Sequence, residues 1–171
     1  MIYKLDFYKN KNIRIFKEKV GYIFKGPLGS SLPIPYNNFV NISFNDSYIT
    51  LESFEPSFFF LYKKLFLQKI KGVLYGCKTK LKLKGVGYVA ECIDNLLILK
   101  LGFSSIINIE IPKTIKIKIK KRKLLKILGC DLNEITQFAA NIRRFRIPEV
   151  YKGKGVLYFK EKVILKIGKR N

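Results

Sequence analysis

The stretch 131–156 constrains the fold of this chain most, because an amphipathic pattern, a proline and a glycine-rich turn follow one another within it. Its apolar residues recur at the spacing of one helix face, and they are Ile135, Phe138, Ile142 and Phe145. Pro148 ends the pattern, because a proline disfavours helical geometry for the residue before it. The sequence therefore predicts a helix over 131–146 that buries one face and sets the direction of the loop that follows.

Basic side chains lie away from the predicted buried stripe of this helix. Arg144 falls on the opposite face, and Arg143 and Arg146 fall on the flanks. This pattern predicts that the three arginines stay in contact with solvent or with a charged partner.

The loop after the helix alternates lysine with glycine. Lys152 and Lys154 supply ammonium groups, whereas Gly153 and Gly155 have no Cβ and permit positive φ. This combination suits close approach to a phosphate backbone. A nucleotide-binding P-loop is excluded, because its Gly-Lys pair is followed by Ser or Thr rather than by glycine. The alternative is an exposed, flexible basic loop, and the pattern alone leaves both interpretations open.

Five stretches together resemble a known family. They are 148–156 (PEVYKGKGV), 137–146 (QFAANIRRFR), 83–88 (LKGVGY), 101–104 (LGFS) and the turn 25–29, which begins KGP and ends in Gly29. Taken from the N-terminus to the C-terminus, they follow the order of, and resemble, ribosomal protein six of the large subunit, of the bacterial type. The resemblance extends over nearly the whole chain.

The resemblance implies a fold class and a function. The fold is α+β, with two tandem copies of a small fold in which antiparallel strands pack on one helix. The function is that of a structural constituent of the large ribosomal subunit, which binds large-subunit rRNA near the stalk base and sarcin–ricin loop and contacts neighbouring ribosomal proteins. The residues that we expect to bind rRNA are Arg143, Arg144, Arg146, Tyr151, Lys152, Gly153, Lys154, Gly155, Lys84, Gly85 and Gly87.

The net charge independently predicts a polyanionic partner. Lys and Arg number 34 against 12 Asp and Glu, a formal charge of +22, and such a chain repels itself unless a polyanion compensates. Residues 1–75 contribute 11 cations against 5 acids, whereas residues 76–171 contribute 23 against 7. We therefore expect the main basic surface in the second half. The charge alone also allows a basic nucleic-acid-binding or membrane-surface protein outside the ribosome.

The sequence contains few residues in patterns suited to catalysis or metal binding. The chain has no histidine, its acids are scattered, and no nucleophile motif occurs. Cys77, Cys92 and Cys130 are too far apart in the sequence for a zinc pattern, and we expect all three to be ordinary, mostly buried residues. The sequence thus predicts no enzyme, no cofactor and no metal site.

The order of predicted elements repeats along the chain. Strands at 13–24 and 39–51 precede a helix over 56–73, and strands at 79–84, 88–101 and 115–128 precede the helix over 131–146. A shift of 77 residues relates the two halves, which indicates an internal duplication. We expect an N-terminal repeat over 1–75 and a C-terminal repeat over 76–171, with the main rRNA-binding surface and a basic tail in the second.

One row of lysines has two interpretations. Lys116, Lys118 and Lys120 alternate with isoleucines, as in a strand with one buried face. The lysine face is predicted either to be solvated or to lie on RNA, and the sequence does not decide between them.

Composition and the N-terminal residues suggest a location. The chain is rich in Lys, Ile, Phe, Tyr and Asn, which A/T-rich codons encode, and its first residues lack an apolar signal core and the composition of a transit peptide. We expect an organelle-encoded protein of the mitochondrial matrix, with a plastid or an A/T-rich bacterium as the alternative. The apolar run 58–62 is too short to span a membrane, so we expect no membrane partner. We also expect no homo-oligomer.

Overall fold

The computed structural model describes residues 3–8, 12–44 and 48–168. The chain divides into two compact units, the first formed by residues 1–77 with 130–132 and the second by residues 78–129 with 133–171. Asn45 and Asp46, which break the predicted strand region 39–51 into two strands, lie outside the described residues. Among those residues, no helix is both long and apolar enough to cross a membrane.

The first unit contains two antiparallel sheets and one helix. Its elements are β1 (Tyr3–Tyr8), β2 (Arg14–Glu18), β3 (Gly21–Gly26), β4 (Gly29–Ser30), β5 (Val40–Phe44), β6 (Tyr48–Ser53) and α1 (Pro56–Tyr75). The sheets have the strand orders β1-β6-β5 and β2-β3-β4. Phe24 of β3, Leu51 of β6 and Phe66 of α1 are fully buried, and the rings of Phe24 and Phe66 meet edge to face at 5.1 Å. The helix therefore packs on strands from both sheets.

Helix α1 buries much of the broad apolar face that the sequence pattern predicts. That face is formed by Phe58, Leu61, Tyr62, Leu65, Phe66 and Val73. Tyr62, Phe66 and Val73 are buried as predicted, whereas Leu61 is 50% exposed and Phe59, which the pattern did not include, is buried. Because apolar residues fill several adjacent positions here, periodicity cannot locate the edge of the buried face, and contact with the sheets determines it.

An ion pair lies inside the first unit. Lys69 of α1 contacts Asp131, and their side chains are only 4% and 1% exposed. The same Asp131 carboxylate oxygen accepts a hydrogen bond from the backbone N–H of Leu32 at 2.9 Å. An isolated buried charge is costly, so each partner makes burial of the other tolerable. The pair holds the segment 130–132 to the first unit.

The second unit repeats this order of elements and adds a strand. Its elements are β7 (Cys77–Lys84), β8 (Val89–Ile93), β9 (Leu96–Lys100), β10 (Ile107–Glu110), β11 (Ile115–Lys120), β12 (Leu124–Gly129), α2 (Leu132–Phe145) and β13 (Gly155–Tyr158). The sheets have the orders β10-β9-β8 and β11-β12-β7-β13. The core includes Leu99, Leu125, Ile127 and Ile135, all fully buried.

The predicted fold class is confirmed: the structure is α+β, with antiparallel strands and one helix in each unit. The buried residues Phe59, Tyr62 and Phe66 precede Ile135, Phe138 and Ile142 by 76 residues rather than by 77. The sequence did not predict β1, β4, β10 and β13 as strands. Each of them lies at a sheet edge, where neighbouring strands supply the pairing that a weak local pattern does not indicate. The repeat boundaries at 75 and 76 stay a prediction.

Candidate nucleic-acid interface

Helix α2 positions the predicted arginines at its C-terminal end. It buries Ile135, Phe138 and Ile142 as predicted, whereas Phe145, predicted on the same stripe, is 44% exposed at the end of the helix. Arg143 and Arg144 lie in its last turn. Cations are favourable at this end, because the helix dipole places partial negative charge there. The helix therefore concentrates positive charge where the chain leaves it towards the loop.

Arg143 makes an intramolecular contact. Its guanidinium binds the Glu161 carboxylate at 2.5 Å and lies over the ring of Tyr158, with 5.6 Å to the ring centroid. The other Glu161 oxygen accepts the N–H of Tyr158 at 2.9 Å. Burial raises the pKa of Glu161, but the bonds from Tyr158 and Arg143 outweigh burial, and the net result is a lowered pKa. Arg143 is thus the least available of the three arginines for a partner.

The other two arginines differ in their surroundings. The Arg146 guanidinium lies over the ring of Phe103, 4.6 Å from its centroid, and its backbone oxygen accepts the N–H of Val156 at 2.9 Å. Arg144 is exposed and lines an open groove with Asn141 and Glu110. Arg144 is therefore the arginine best placed to meet a phosphate.

The loop 149–154 is closed on itself by its backbone. The N–H of Glu149 donates to the oxygen of Lys154, and the N–H of Gly153 donates to the oxygen of Glu149, both at 2.9 Å. Tyr151 and Lys152 are exposed at its tip, and Lys154 is partly exposed. The loop is therefore a defined turn that displays its aromatic and cationic side chains.

The two loop glycines are required by the fold itself, which changes the interpretation made from the sequence. Both are buried. A Cβ on Gly155, whose φ is +148°, would lie 2.7 Å from the Cα of Pro148. Gly153 has φ +63°, and a Cβ there would lie 3.1 Å from the Lys84 Nζ and 3.3 Å from a methyl of Leu165. The absence of side chains at these two glycines thus lets the loop pack against Pro148, Lys84 and Leu165. It does not expose the backbone for contact with a phosphate, as the sequence had suggested.

Strand pairing brings Lys84 to this loop. Gly155 of β13 lies opposite Lys84 of β7, which places the Lys84 ammonium group beside Gly153. The neighbouring glycines have different roles. A Cβ on Gly85 would lie 2.8 Å from the ring of Tyr88. A Cβ on Gly87 would meet no atom within 4 Å, but Gly87 adopts φ +71°, which favours glycine. Lys84 therefore lies beside the loop 149–154. Gly85 and Gly87 are required by the packing and the backbone conformation of the turn before β8.

The sequence predicted a basic tail in the second repeat, but it did not predict that the segment 160–168 runs beside the loop 149–154. The N–H of Lys166 donates to the oxygen of Val150 at 2.9 Å, so the segment runs beside the loop. A cavity of about 440 Å³ lies under it, lined among others by Lys82, Lys84 and Lys162.

Nothing in the described part of the chain suggests a metal centre. No group of three or more potential ligand side chains comes together there. The expectation of buried cysteines is wrong for Cys92, which is exposed, while Cys77 and Cys130 are partly buried. Burial raises the pKa of the Cys77 thiol, so this group is less available as a thiolate.

Known proteins resemble this chain over almost its whole length. The family model described as ribosomal protein L6 matches residues 84–159. Large ribosomal subunit protein uL6 of Mycoplasmoides gallisepticum is 36% identical over 164 residues, covering 92% of this chain and 90% of its own length. Large ribosomal subunit protein uL6m of Reclinomonas americana is 37% identical over 176 residues, covering 95% and 93%. The matched segment contains Lys84, the end of α2 and the loop 149–154, and this chain belongs to the ribosomal protein L6 family.

Proposed function

We propose that this protein is a structural constituent of the large ribosomal subunit and binds large-subunit rRNA through the basic end of its second unit. The observation that carries the proposal is the closed loop 149–154, which displays Tyr151 and Lys152 beside Lys84. Exposed cations on a rigid turn neutralise phosphates, and an exposed tyrosine can stack on a base. Membership of a family of structural proteins also agrees with the expectation that the chain is not an enzyme.

The proposed rRNA surface consists of the predicted residues, and the exposure and contacts of each residue indicate its role. Arg144, Tyr151, Lys152 and Lys154 are the direct contacts, because their side chains are exposed or partly exposed. Arg143 acts indirectly, since its bond to Glu161 holds the segment after β13. Arg146 contributes charge from a guanidinium stacked on an aromatic ring. The glycines Gly153, Gly155, Gly85 and Gly87 shape the loops that carry these groups.

We infer that the rRNA bound is the region of the stalk base and the sarcin–ricin loop, with neighbouring ribosomal proteins as further partners. Directed hydroxyl-radical probing tests this inference. An iron chelate tethered to a Lys152→Cys variant in reconstituted large subunits should cleave rRNA in that region. The parent chain, whose Cys92 is exposed, supplies the background, and a Lys64→Cys variant in α1 is the matched control. Cleavage confined to other rRNA regions would contradict the inference.

We also propose a mitochondrial location, in which the protein is encoded by the organelle. Its support is the bias of the sequence towards A/T-rich codons together with relatives such as that of Reclinomonas americana. Relatives also include uL6 of a bacterium and uL6c of Arabidopsis thaliana, the latter 37% identical over 164 residues. Mapping the gene to the organellar genome tests the proposal, and a nuclear, plastid or bacterial gene would refute it.

A further inference from the structure

The hairpin of β11 and β12 is the most uniformly basic part of the second unit. Residues 115–129 read IKIKIKKRKLLKILG and contain no acidic residue. Their cations are Lys116, Lys118, Lys120, Lys121, Arg122, Lys123 and Lys126. None of these residues belongs to the surface formed by the loop 149–154 and the end of α2.

The strand register places four of these cations, Lys116, Lys118, Lys120 and Lys126, on one face. Ile117 lies opposite Ile127 and Ile119 opposite Leu125, and Ile127 and Leu125 are fully buried, so this side faces the core. Lys118 lies opposite Lys126 on the other side. Lys116 and Lys120 are exposed on the same side as Lys118, at intervals of about 6.8 Å along the strand. The outer face of the hairpin therefore carries a row of three ammonium groups along β11 and a fourth on β12, flanked by Leu124 and Leu128.

This arrangement opposes the stability of the isolated protein. Directly opposed side chains of like charge destabilise a sheet, and Lys118 and Lys126 form such a pair. No acidic residue within the hairpin offsets their repulsion. An anion lying across both strands would relieve it.

The turn of the hairpin also carries cations at positions where they are unfavourable for stability. The N–H of Lys123 donates to the oxygen of Lys120 at 3.2 Å, and the two central residues, Lys121 and Arg122, have φ of +50° and +53°. Turns with positive φ at both central positions favour Asn-Gly or Asp-Gly, because longer side chains are strained there. This chain places two cations at those positions instead.

The rest of the unit holds this turn in place. The oxygen of Lys123 accepts the N–H of Leu83, and the oxygen of Arg122 accepts the N–H of Ala90, both at 2.8 Å. The Arg122 side chain makes an exposed contact of 3.7 Å with Glu91. Strain that the surrounding structure maintains is typical of functional positions.

We propose that the outer face of the β11–β12 hairpin, together with its turn, is a second rRNA-binding surface that takes the phosphate backbone of an rRNA segment. The inference rests on the proposed ribosomal function and adds a separate set of contacts to it. Contacts to phosphate carry no direct sequence information, so this surface contributes affinity and orientation rather than sequence recognition. A regular row of cations fits a regularly charged backbone better than it fits an acidic protein segment, whose charges are unevenly spaced.

The test compares two variants of the full chain that lose equal charge. The first carries Lys116→Gln, Lys118→Gln and Lys126→Gln on the proposed face. The control carries Lys19→Gln, Lys64→Gln and Lys71→Gln, which are exposed lysines of the first unit. Binding to large-subunit rRNA is measured over a series of salt concentrations. If each lost contact shallows the slope of log K against log salt by about 0.7 to 0.9, the first variant should shallow it by about two to three units, and the control should not.

A footprint and a rescue variant complete the test. The first variant should lose one region of backbone protection on the rRNA that a Lys152→Ala variant retains. Replacing the same three lysines by arginine should restore both slope and protection, and thermal unfolding should show that all variants remain folded. If the parent fails to bind rRNA, the proposed function is wrong. If the parent binds and the first variant matches it or the control, the hairpin inference is overturned, as it is if only binding to a ribosomal protein is lost.

Discussion

The contact between Arg143 and Glu161 makes a stability prediction that depends on pH. Glu161 uses one carboxylate oxygen for Arg143 at 2.5 Å and the other for the N–H of Tyr158 at 2.9 Å. The change Glu161→Gln keeps the size of the side chain but leaves a single oxygen acceptor and no charge. The variant therefore loses one of the two interactions and the attraction of the guanidinium.

The size of the effect follows from the surroundings of the pair. A hydrogen bond to a charged group contributes about 1.5–3 kcal/mol, whereas an exposed ion pair contributes about 0–1 kcal/mol. The side chains of Arg143 and Glu161 are 31% and 23% exposed, which lies between these cases. We expect Glu161→Gln to lower the free energy of unfolding by about 1–2 kcal/mol at pH 7. Glu161→Ala should cost more, because it also removes the acceptor for Tyr158.

The pH dependence follows from the lowered pKa of Glu161 in the folded state. The carboxylate of an unfolded glutamate has a pKa of about 4.3, so the contribution of Glu161 is fully present above that pH. It is lost as the pH falls through the lower pKa of the folded state. Urea unfolding of parent and Glu161→Gln should therefore differ at pH 7 and converge in acid.

The matched control is Glu149→Gln, because the Glu149 side chain is exposed and only its backbone closes the loop. This variant should unfold like the parent throughout the pH series. The reasoning is refuted if Glu161→Gln is as stable as the parent at pH 7, or if the difference persists unchanged below the pKa of the folded state.

Three further predictions concern the basic surfaces. Replacing Lys152 and Lys154 by alanine should shallow the slope of log K for rRNA against log salt by about 1.4–1.8 units, and an unchanged slope would contradict the proposed contacts. Gly155→Ala should lower the midpoint of urea unfolding, because the new Cβ would lie 2.7 Å from the Cα of Pro148. Changing Lys121 to Asn and Arg122 to Gly should stabilise the protein by about 1 kcal/mol in urea unfolding and weaken rRNA binding at low salt; a loss of stability would show that the turn is not strained.

Some of this protein could be predicted from the sequence because the signal was local. The stripe of Ile135, Phe138 and Ile142 has the period of a helix, and the alternation in β11 has the period of a strand, so each pattern predicted the element found. The proline and glycines after α2 likewise predicted a turn. In α1 the same method predicted the buried face only in part, because apolar residues at several adjacent positions leave the edge of that face undefined.

The sequence by itself determined where most helices and strands form, the excess of positive charge and its concentration in the second half. These are properties of neighbouring residues or of simple sums. Only the tertiary structure decided which partners those residues have. Asp131 contacts Lys69, which is 62 residues away, and Gly155 is excluded from carrying a side chain by Pro148. Arg143 is bound by Glu161, whereas Arg144 is left exposed. Adjacent residues of identical chemistry acquire different roles because packing, which depends on residues far away in the chain, determines which of them meets solvent.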